Sequence, residues 1–165
     1  MPAYSFSHME FVSKILDGSK PHTIRPRRKN PTKPGDVLTL YYRQRSPECR
    51  AICLTVVTKV TPVVIYPFQH QLKLNGHLLG ECKLAKLARR DGFVEFLDFF
   101  QFFERYGKPV LFMELIEWDT EKMLSLWEVD QFQELIRVMS AEERLAWLDT
   151  SLEIGEALEA CDGNY

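Results

Sequence analysis

The order of sequence patterns along this chain predicts an α+β fold, a small antiparallel sheet or β-barrel with flanking helices. A short helical pattern precedes several β-rich runs, and a second helical stretch and a closing strand follow them. The 165 residues are 45% apolar, which is enough to bury a core without disulfides. Beyond residue 118 the pattern turns helical and acidic. We therefore predict a barrel domain at 1–118 and a helical appendage at 119–165.

The first half of the barrel domain follows from four patterns. Ala3 to Ser7 alternates weakly and predicts a strand, and apolar residues then recur at helical spacing until Gly18 ends a short helix. Val37 to Tyr42 and the longer Ala51 to Val64 are β-rich runs, the second long enough to curve around a barrel. Residues 65–83 contain a proline and two glycines, and they predict a long loop over a binding face.

The second half of the chain is mostly helical in pattern. Leu84 begins one helix, residues 93–107 form an aromatic-faced helix, and Val110 to Trp118 returns to strand character. Thr120 to Met139 carries an apolar helical stripe, and Ser140 to Glu143 fits a capping box before a further helix. Together they predict a C-terminal helical hairpin with an acidic outer surface. It either packs on the barrel as a structural lid or binds a protein partner or a second copy.

Charge is distributed unevenly between the two halves of the chain. Residues 1–90 hold 16 Lys or Arg and 5 Asp or Glu, a net charge of +11, whereas residues 91–165 carry a net charge of −13. From residue 18 to residue 35 there are six basic residues and no acidic one. Such a local positive field favours a polyanion or a phosphorylated partner, and the alternative is two oppositely charged faces that only solvate the protein.

Cysteine usage and hydropathy bear on the cellular compartment. Cys49, Cys53, Cys82 and Cys161 have the spacing of neither a disulfide framework nor a zinc site, so we expect no metal and no other cofactor. The chain contains no apolar run near 18 residues and no secretory pattern at its start. We predict a reduced, cytoplasmic protein without a membrane partner.

Five blocks in sequence order resemble the activating signal cointegrator homology (ASCH) domain. They are Asp17–Lys20 at a helix end, Thr23–Arg25, Pro34–Leu38, Asp91–Phe93 before a Phe-rich helix, and the strand from Leu111 to Trp118. ASCH domains belong to the pseudouridine synthase and archaeosine transglycosylase (PUA)-like superfamily of small β-barrels. The resemblance implies a barrel with a ligand cleft between the barrel and its helices.

The resemblance also implies a function. Some relatives are thought to bind RNA and some to cleave it, while some small members are similar to N(4)-acetylcytidine amidohydrolases whose cleft is lined by a lysine, a threonine and a glutamate. Carried over by position, the lysine matches Lys20 and the threonine matches Thr23. The glutamate falls at Asp91, which is shorter by one methylene. These three residues are the catalytic candidates.

Elementary chemistry is consistent with such a site and with simpler roles. A threonine hydroxyl is a weak nucleophile until a base takes its proton, and Lys20 can serve only if its pKa falls toward neutrality. Burial and the charge of Arg25 would lower that pKa, whereas Asp91 nearby would raise it. The alternatives are a solvated Lys20 at a helix end, an ordinary strand residue at Thr23 and a helix cap at Asp91.

The binding candidates lie mostly in residues 18–35, which we call the basic segment. Arg25 has the planar fork that suits bidentate anion recognition, and Tyr42 is either a base-stacking residue or part of the core. The remaining candidates for phosphate contact, or for a merely solvated loop, are Arg27, Arg28, Lys29 and Lys33. The sequence thus predicts first an RNA- or nucleoside-binding module with one Lys/Thr/Arg/Asp cleft. The alternatives are an amidohydrolase or ribonuclease and a protein-interaction module built on the acidic helices.

Overall fold

The computed structural model describes residues 2–150 and has an α+β fold built around one mixed sheet. Its strands are β1 (Ala3–Phe6), β2 (His22–Pro26), β3 (Val37–Tyr42), β4 (Arg50–Tyr66), β5 (Gln71–Leu74), β6 (His77–Leu78) and β7 (Leu111–Ser125). Its helices are α1 (Met9–Leu16), α2 (Glu81–Arg90), α3 (Phe96–Glu104), α4 (Asp130–Val138) and α5, described over 141–150. None of the helices in this part of the chain is long and apolar enough to cross a lipid bilayer.

The long strand β4 organises the sheet. One of its edges pairs with β3 near the start of β4 and with β5 near its end, and the other edge pairs with β7. β7 in turn pairs with β2, and β1 lies parallel to β3, so the main path runs β2–β7–β4–β3–β1. The expected closed barrel is wrong, because no strand ladder joins β1 to β2 and the sheet stays open.

Arginine side chains span the gap between β1 and β2. The Pro2 and Phe6 carbonyls accept hydrogen bonds from the backbone N–H groups of Thr39 and Arg43. Successive carbonyls of a strand point in opposite directions, so those of Ala3 and Ser5 face the free edge of β1. The Arg25 guanidinium donates to the Ser5 carbonyl at 2.7 Å, and Arg28 donates to that of Ala3. The sheet therefore bends far enough to bring its edges together, but side chains take the place of a backbone ladder.

The core has three parts, one for each group of helices. α2 and α3 cover one face of β4 and β7, with the buried phenylalanines on α3, while α1 packs with β1 and β3 on the other side. α4 and α5 cover the start of β4 with a third cluster that includes Leu126, Ile136 and Leu148. The apolar stripe predicted for the appendage is thus packed against the sheet, although Leu135 and Val138 remain exposed.

Most predicted elements are confirmed, but two segments differ. Residues 120–125 continue β7 and pair with β4, so the predicted boundary at residue 118 lies inside a strand, and the helix expected from Thr120 begins only at Asp130. The predicted loop at 65–83 contains the β5–β6 hairpin, which turns at Asn75 and Gly76 with positive φ at both residues. Asn-Gly is a strong hairpin signal that should outweigh the irregular composition of the segment.

The C-terminal helices follow the predicted capping box. The Ser140 N–H donates to the Glu143 carboxylate at 2.6 Å, and the Glu143 N–H donates to the Ser140 hydroxyl at 3.2 Å. These reciprocal bonds lower the pKa of Glu143 and start α5. The rest of the predicted appendage, 151–165 with Cys161, lies outside the described residues.

Candidate functional site

Lys20 lies in the turn between α1 and β2, and its side chain points into the protein. Gly18 has φ of 77°, and the Lys20 N–H donates to the Lys14 carbonyl at 2.8 Å, so the chain turns tightly after α1. The Lys20 ammonium donates to the Asp91 carboxylate at 2.6 Å, to the His22 carbonyl at 3.1 Å and to the Asp91 carbonyl. Its three donors are therefore directed at three acceptors.

Asp91 is held at the end of α2 by the turn that follows. Its N–H closes the helix on the Leu87 carbonyl, and the next carbonyl, that of Gly92, accepts a hydrogen bond from Lys14 at 2.6 Å. Gly92 has φ of 101°, and a Cβ there would lie 2.7 Å from the Phe11 ring. Only glycine fits this position, which brings the Asp91 backbone close to the Lys20 ammonium.

The Lys20–Asp91 pair is almost completely removed from water. Lys20 is 1% exposed and Asp91 4%, and the ammonium lies 4.8 Å from the centroid of the Phe11 ring and 5.5 Å from that of Phe6. Burial lowers the pKa of Lys20 and raises the pKa of Asp91, while the charge of each partner opposes the shift of the other. Such a pair is costly to break, because either charge left alone would be buried without a counter-charge.

Thr23 and Arg25 extend this cluster along β2. They lie on the same face of the strand, and the Arg25 Nε donates to the Thr23 hydroxyl oxygen at 3.2 Å. Thr23 is 3% exposed, whereas Arg25 is half-buried, lies 5.1 Å from the Phe6 ring centroid and reaches an open groove. The structure thus brings the four predicted cleft residues together. Lys20 and Asp91 form a buried ion pair, Thr23 is buried and bonded to Arg25, and Arg25 connects these residues to the surface.

His22 belongs to the same neighbourhood and was not singled out from the sequence. It is 1% exposed, and neither ring nitrogen makes a hydrogen bond of good geometry, although the Leu87 carbonyl faces the ring. Burial first, and then the charges of Lys20 and Arg90, lower the pKa of His22 to about 3. The only sequence signal for His22 is its position beside the predicted site residues. Its protonation state depends on burial.

The basic segment lines two neighbouring surface grooves that share Arg28. One has a volume of about 640 Å³ and includes Lys29, Lys33 and Asp36 in its walls; the other, of about 380 Å³, includes Arg25 and Arg27. The lining residues of the two grooves carry five positive side chains and one negative side chain. This arrangement concentrates positive potential along one continuous surface.

Local contacts order parts of this surface. The Arg28 guanidinium lies 4.2 Å from the Tyr4 ring centroid, and the Arg27 Nε lies 3.4 Å from a Glu114 carboxylate oxygen. Tyr42 is placed differently, because its ring packs edge-on against Trp127 at 5.8 Å between centroids. The structure therefore gathers the predicted cations along the grooves and directs Tyr42 toward the C-terminal packing.

Comparison of the chain with protein-family models, with curated proteins and with solved structures finds no match. The ASCH resemblance accordingly rests on the sequence blocks. Within residues 2–150, no group of three or more His, Cys, Asp or Glu side chains lies close enough together to hold a metal ion. Cys49, Cys53 and Cys82 are free thiols.

Proposed function

We propose that this chain is an ASCH-like RNA-binding protein of PUA-like type that acts in the cytoplasm. The observation that carries the proposal is the pair of adjoining grooves, whose walls hold five cations against one acid. Guanidinium and ammonium groups placed along one surface suit a chain of phosphates, and phosphate contacts supply most of the affinity of such proteins. The sequence blocks support the PUA-like assignment, as does the bend that brings the β1 and β2 edges of the open sheet within reach of the Arg25 and Arg28 side chains.

The buried cluster has a structural part in this function. Arg25 donates to Ser5 on β1 and to Thr23 on its own strand, so the groove wall is tied to the interior around Lys20 and Asp91. A rigid wall lowers the entropy lost when RNA binds, because fewer side chains must be ordered at that moment.

A titration with labelled single-stranded RNA at several salt concentrations tests the proposal. The triple variant Arg27→Ala, Arg28→Ala, Lys29→Ala should bind more weakly whatever the RNA sequence, and its logarithmic salt slope should fall by about 2. The matched control removes three exposed cations of α2, which line neither groove: Lys83, Lys86 and Arg89. Equal affinities and slopes for the two triple variants would refute the proposal.

A second candidate is an amidohydrolase that removes an acyl group from a nucleoside such as N(4)-acetylcytidine. The specific observation in its favour is that burial lowers the pKa of Lys20, the shift that a lysine base requires. In that reaction the Thr23 oxygen would bond to the acyl carbon as the acyl C–N bond breaks, and the Thr23 proton would pass through Lys20 to the departing amine. Water would then hydrolyse the Thr23 ester and release the acyl group as its carboxylate. Binding ranks first because Thr23 accepts from Arg25 and is covered.

Acetate release from N(4)-acetylcytidine distinguishes the two candidates. A hydrolase should keep partial turnover in Thr23→Ser and lose it in Thr23→Val, which retains the shape but not the hydroxyl. Lys20→Arg should also be inactive, since a guanidinium keeps its proton near neutral pH. Absence of turnover in the wild-type protein, at concentrations where about one event per second would be obvious, would eliminate this candidate.

A further inference from the structure

A row of side chains crosses an uncovered part of one sheet face, near the end of β4 and the start of β7. Phe112 on β7 is directly opposite Val64 on β4, and Val64 is opposite Lys73 on β5. Arg27 is the residue after β2, and extending the β2–β7 register by one residue places it opposite Phe112. From β2 through β7 and β4 to β5, the row therefore consists of a cation, an aromatic ring, an aliphatic side chain and a second cation.

Around Phe112 this face is open because α2 and α3 pack on the opposite one, while α1 packs farther along the sheet, near Ile116 and Trp118. Leu111 and Met113 flank Phe112 and point into the core with α2 and α3, whereas Phe112 points the opposite way and is 76% exposed. β3 pairs only with the first part of β4 and does not extend to Val64. The ring thus stands in solvent on a rigid central strand rather than on a loop.

A second ring lies on the same face. Tyr66 is two residues beyond Val64 and half-buried, and the Lys73 ammonium lies 5.6 Å from the centroid of its ring. A single exposed phenylalanine would be ordinary on a protein surface. Two aromatic rings on adjacent strands, with a cation at each end of the row, form a more specific arrangement.

The cation at the β2 end is available to a ligand. The Arg27 side chain is 72% exposed, and its 3.4 Å contact with Glu114 is a surface ion pair of the kind that contributes little energy. Glu114 lies on the same face as Phe112, two residues along β7. Arg27 also lines the smaller basic groove, which joins this face to the surface already described.

We propose that this face binds single-stranded RNA, with bases stacked on Phe112 and Tyr66 and phosphates contacting Arg27 and Lys73; the inference rests on the proposed function. Three strand spacings of about 4.8 Å separate the two cations by roughly 14 Å, which leaves the rings between two phosphate contacts. Stacking on aromatic side chains needs unpaired bases and tolerates any sequence. Cations flanking an apolar row complement that chemistry better than they complement an apolar protein surface.

Fluorescence anisotropy with a labelled single-stranded RNA of about 12 nucleotides, and with a duplex of the same length, tests the inference. Phe112→Ala should weaken single-strand binding by about 5- to 150-fold and leave duplex binding unchanged, since paired bases are already stacked on one another. Phe112→Trp should restore single-strand affinity. Val138→Ala, at an equally exposed apolar residue of α4, is the matched control and should have no effect.

The outcomes separate this inference from the proposed function. If Phe112→Ala binds single strands as the wild-type protein does, while the groove triple variant binds weakly, the stacking face is refuted and the RNA-binding proposal stands. If the wild-type protein binds neither RNA, both are refuted. An equal loss for single strand and duplex, or a change of oligomeric state with unchanged RNA affinity, would show that Phe112 acts in another way and would overturn the inference.

Discussion

His22 should make the fold sensitive to acid. The ring is buried without a hydrogen bond of good geometry, and it faces the positive charges of Lys20 and Arg90. Its pKa is lowered to about 3 from the ordinary 6.5, so the folded protein keeps the ring neutral where the unfolded chain protonates it. Between those two pH values the unfolded state binds more protons, and the free energy of unfolding falls as the pH drops.

The size of the effect follows from the difference of about 3.5 between the two pKa values. At about 1.36 kcal/mol for each unit, full titration removes up to about 5 kcal/mol between pH 6.5 and pH 3. By about pH 5 the loss is already roughly 2 kcal/mol. This is a large fraction of the stability of an ordinary domain.

Urea unfolding followed by tryptophan fluorescence, at about pH 7.5, 6 and 5, measures this loss. His22→Gln lacks the titrating ring and should lose about 2 kcal/mol less than the wild-type protein over that range. His77→Gln, at an exposed histidine of β6, should follow the wild-type pH dependence. Parallel stability curves for wild type and His22→Gln would refute the argument that the buried ring stays neutral.

Two further predictions concern the buried pair and the turn beside it. Asp91→Ala should lower the free energy of unfolding by about 3–5 kcal/mol because it leaves the Lys20 ammonium buried alone, and a loss below about 1 kcal/mol in urea unfolding would contradict this. Gly92→Ala should cost more than Gly107→Ala: both need positive φ, but only the first places a Cβ 2.7 Å from Phe11. Equal losses for the two glycine variants in thermal unfolding would mean that the Phe11 ring simply moves aside.

Local pattern was sufficient for much of the fold. The period of apolar residues predicted α1 and α3, the β-rich run Ala51 to Val64 predicted β4, and Ser140 to Glu143 predicted the cap of α5. Each of these features depends on residues a few positions apart. The strand at 120–125 was mistaken for helix, since a short apolar stripe fits both periods until a partner strand is known. These residues form a strand because they pair with β4, which is far away in the chain.

The candidate site divides in the same way. The order of the sequence blocks predicted a shared site for four residues: Lys20, Thr23, Arg25 and Asp91. The structure places these residues near one another, and their roles stay predictions. Sequence alone determined which chemical groups are present and, in the strands that it predicted, which side chains share a face. Only tertiary structure decided that Lys20 is buried and Phe112 exposed, because alternation does not reveal which face another element will cover. Solvent access, and hence the pKa of each group, is a property of long-range packing.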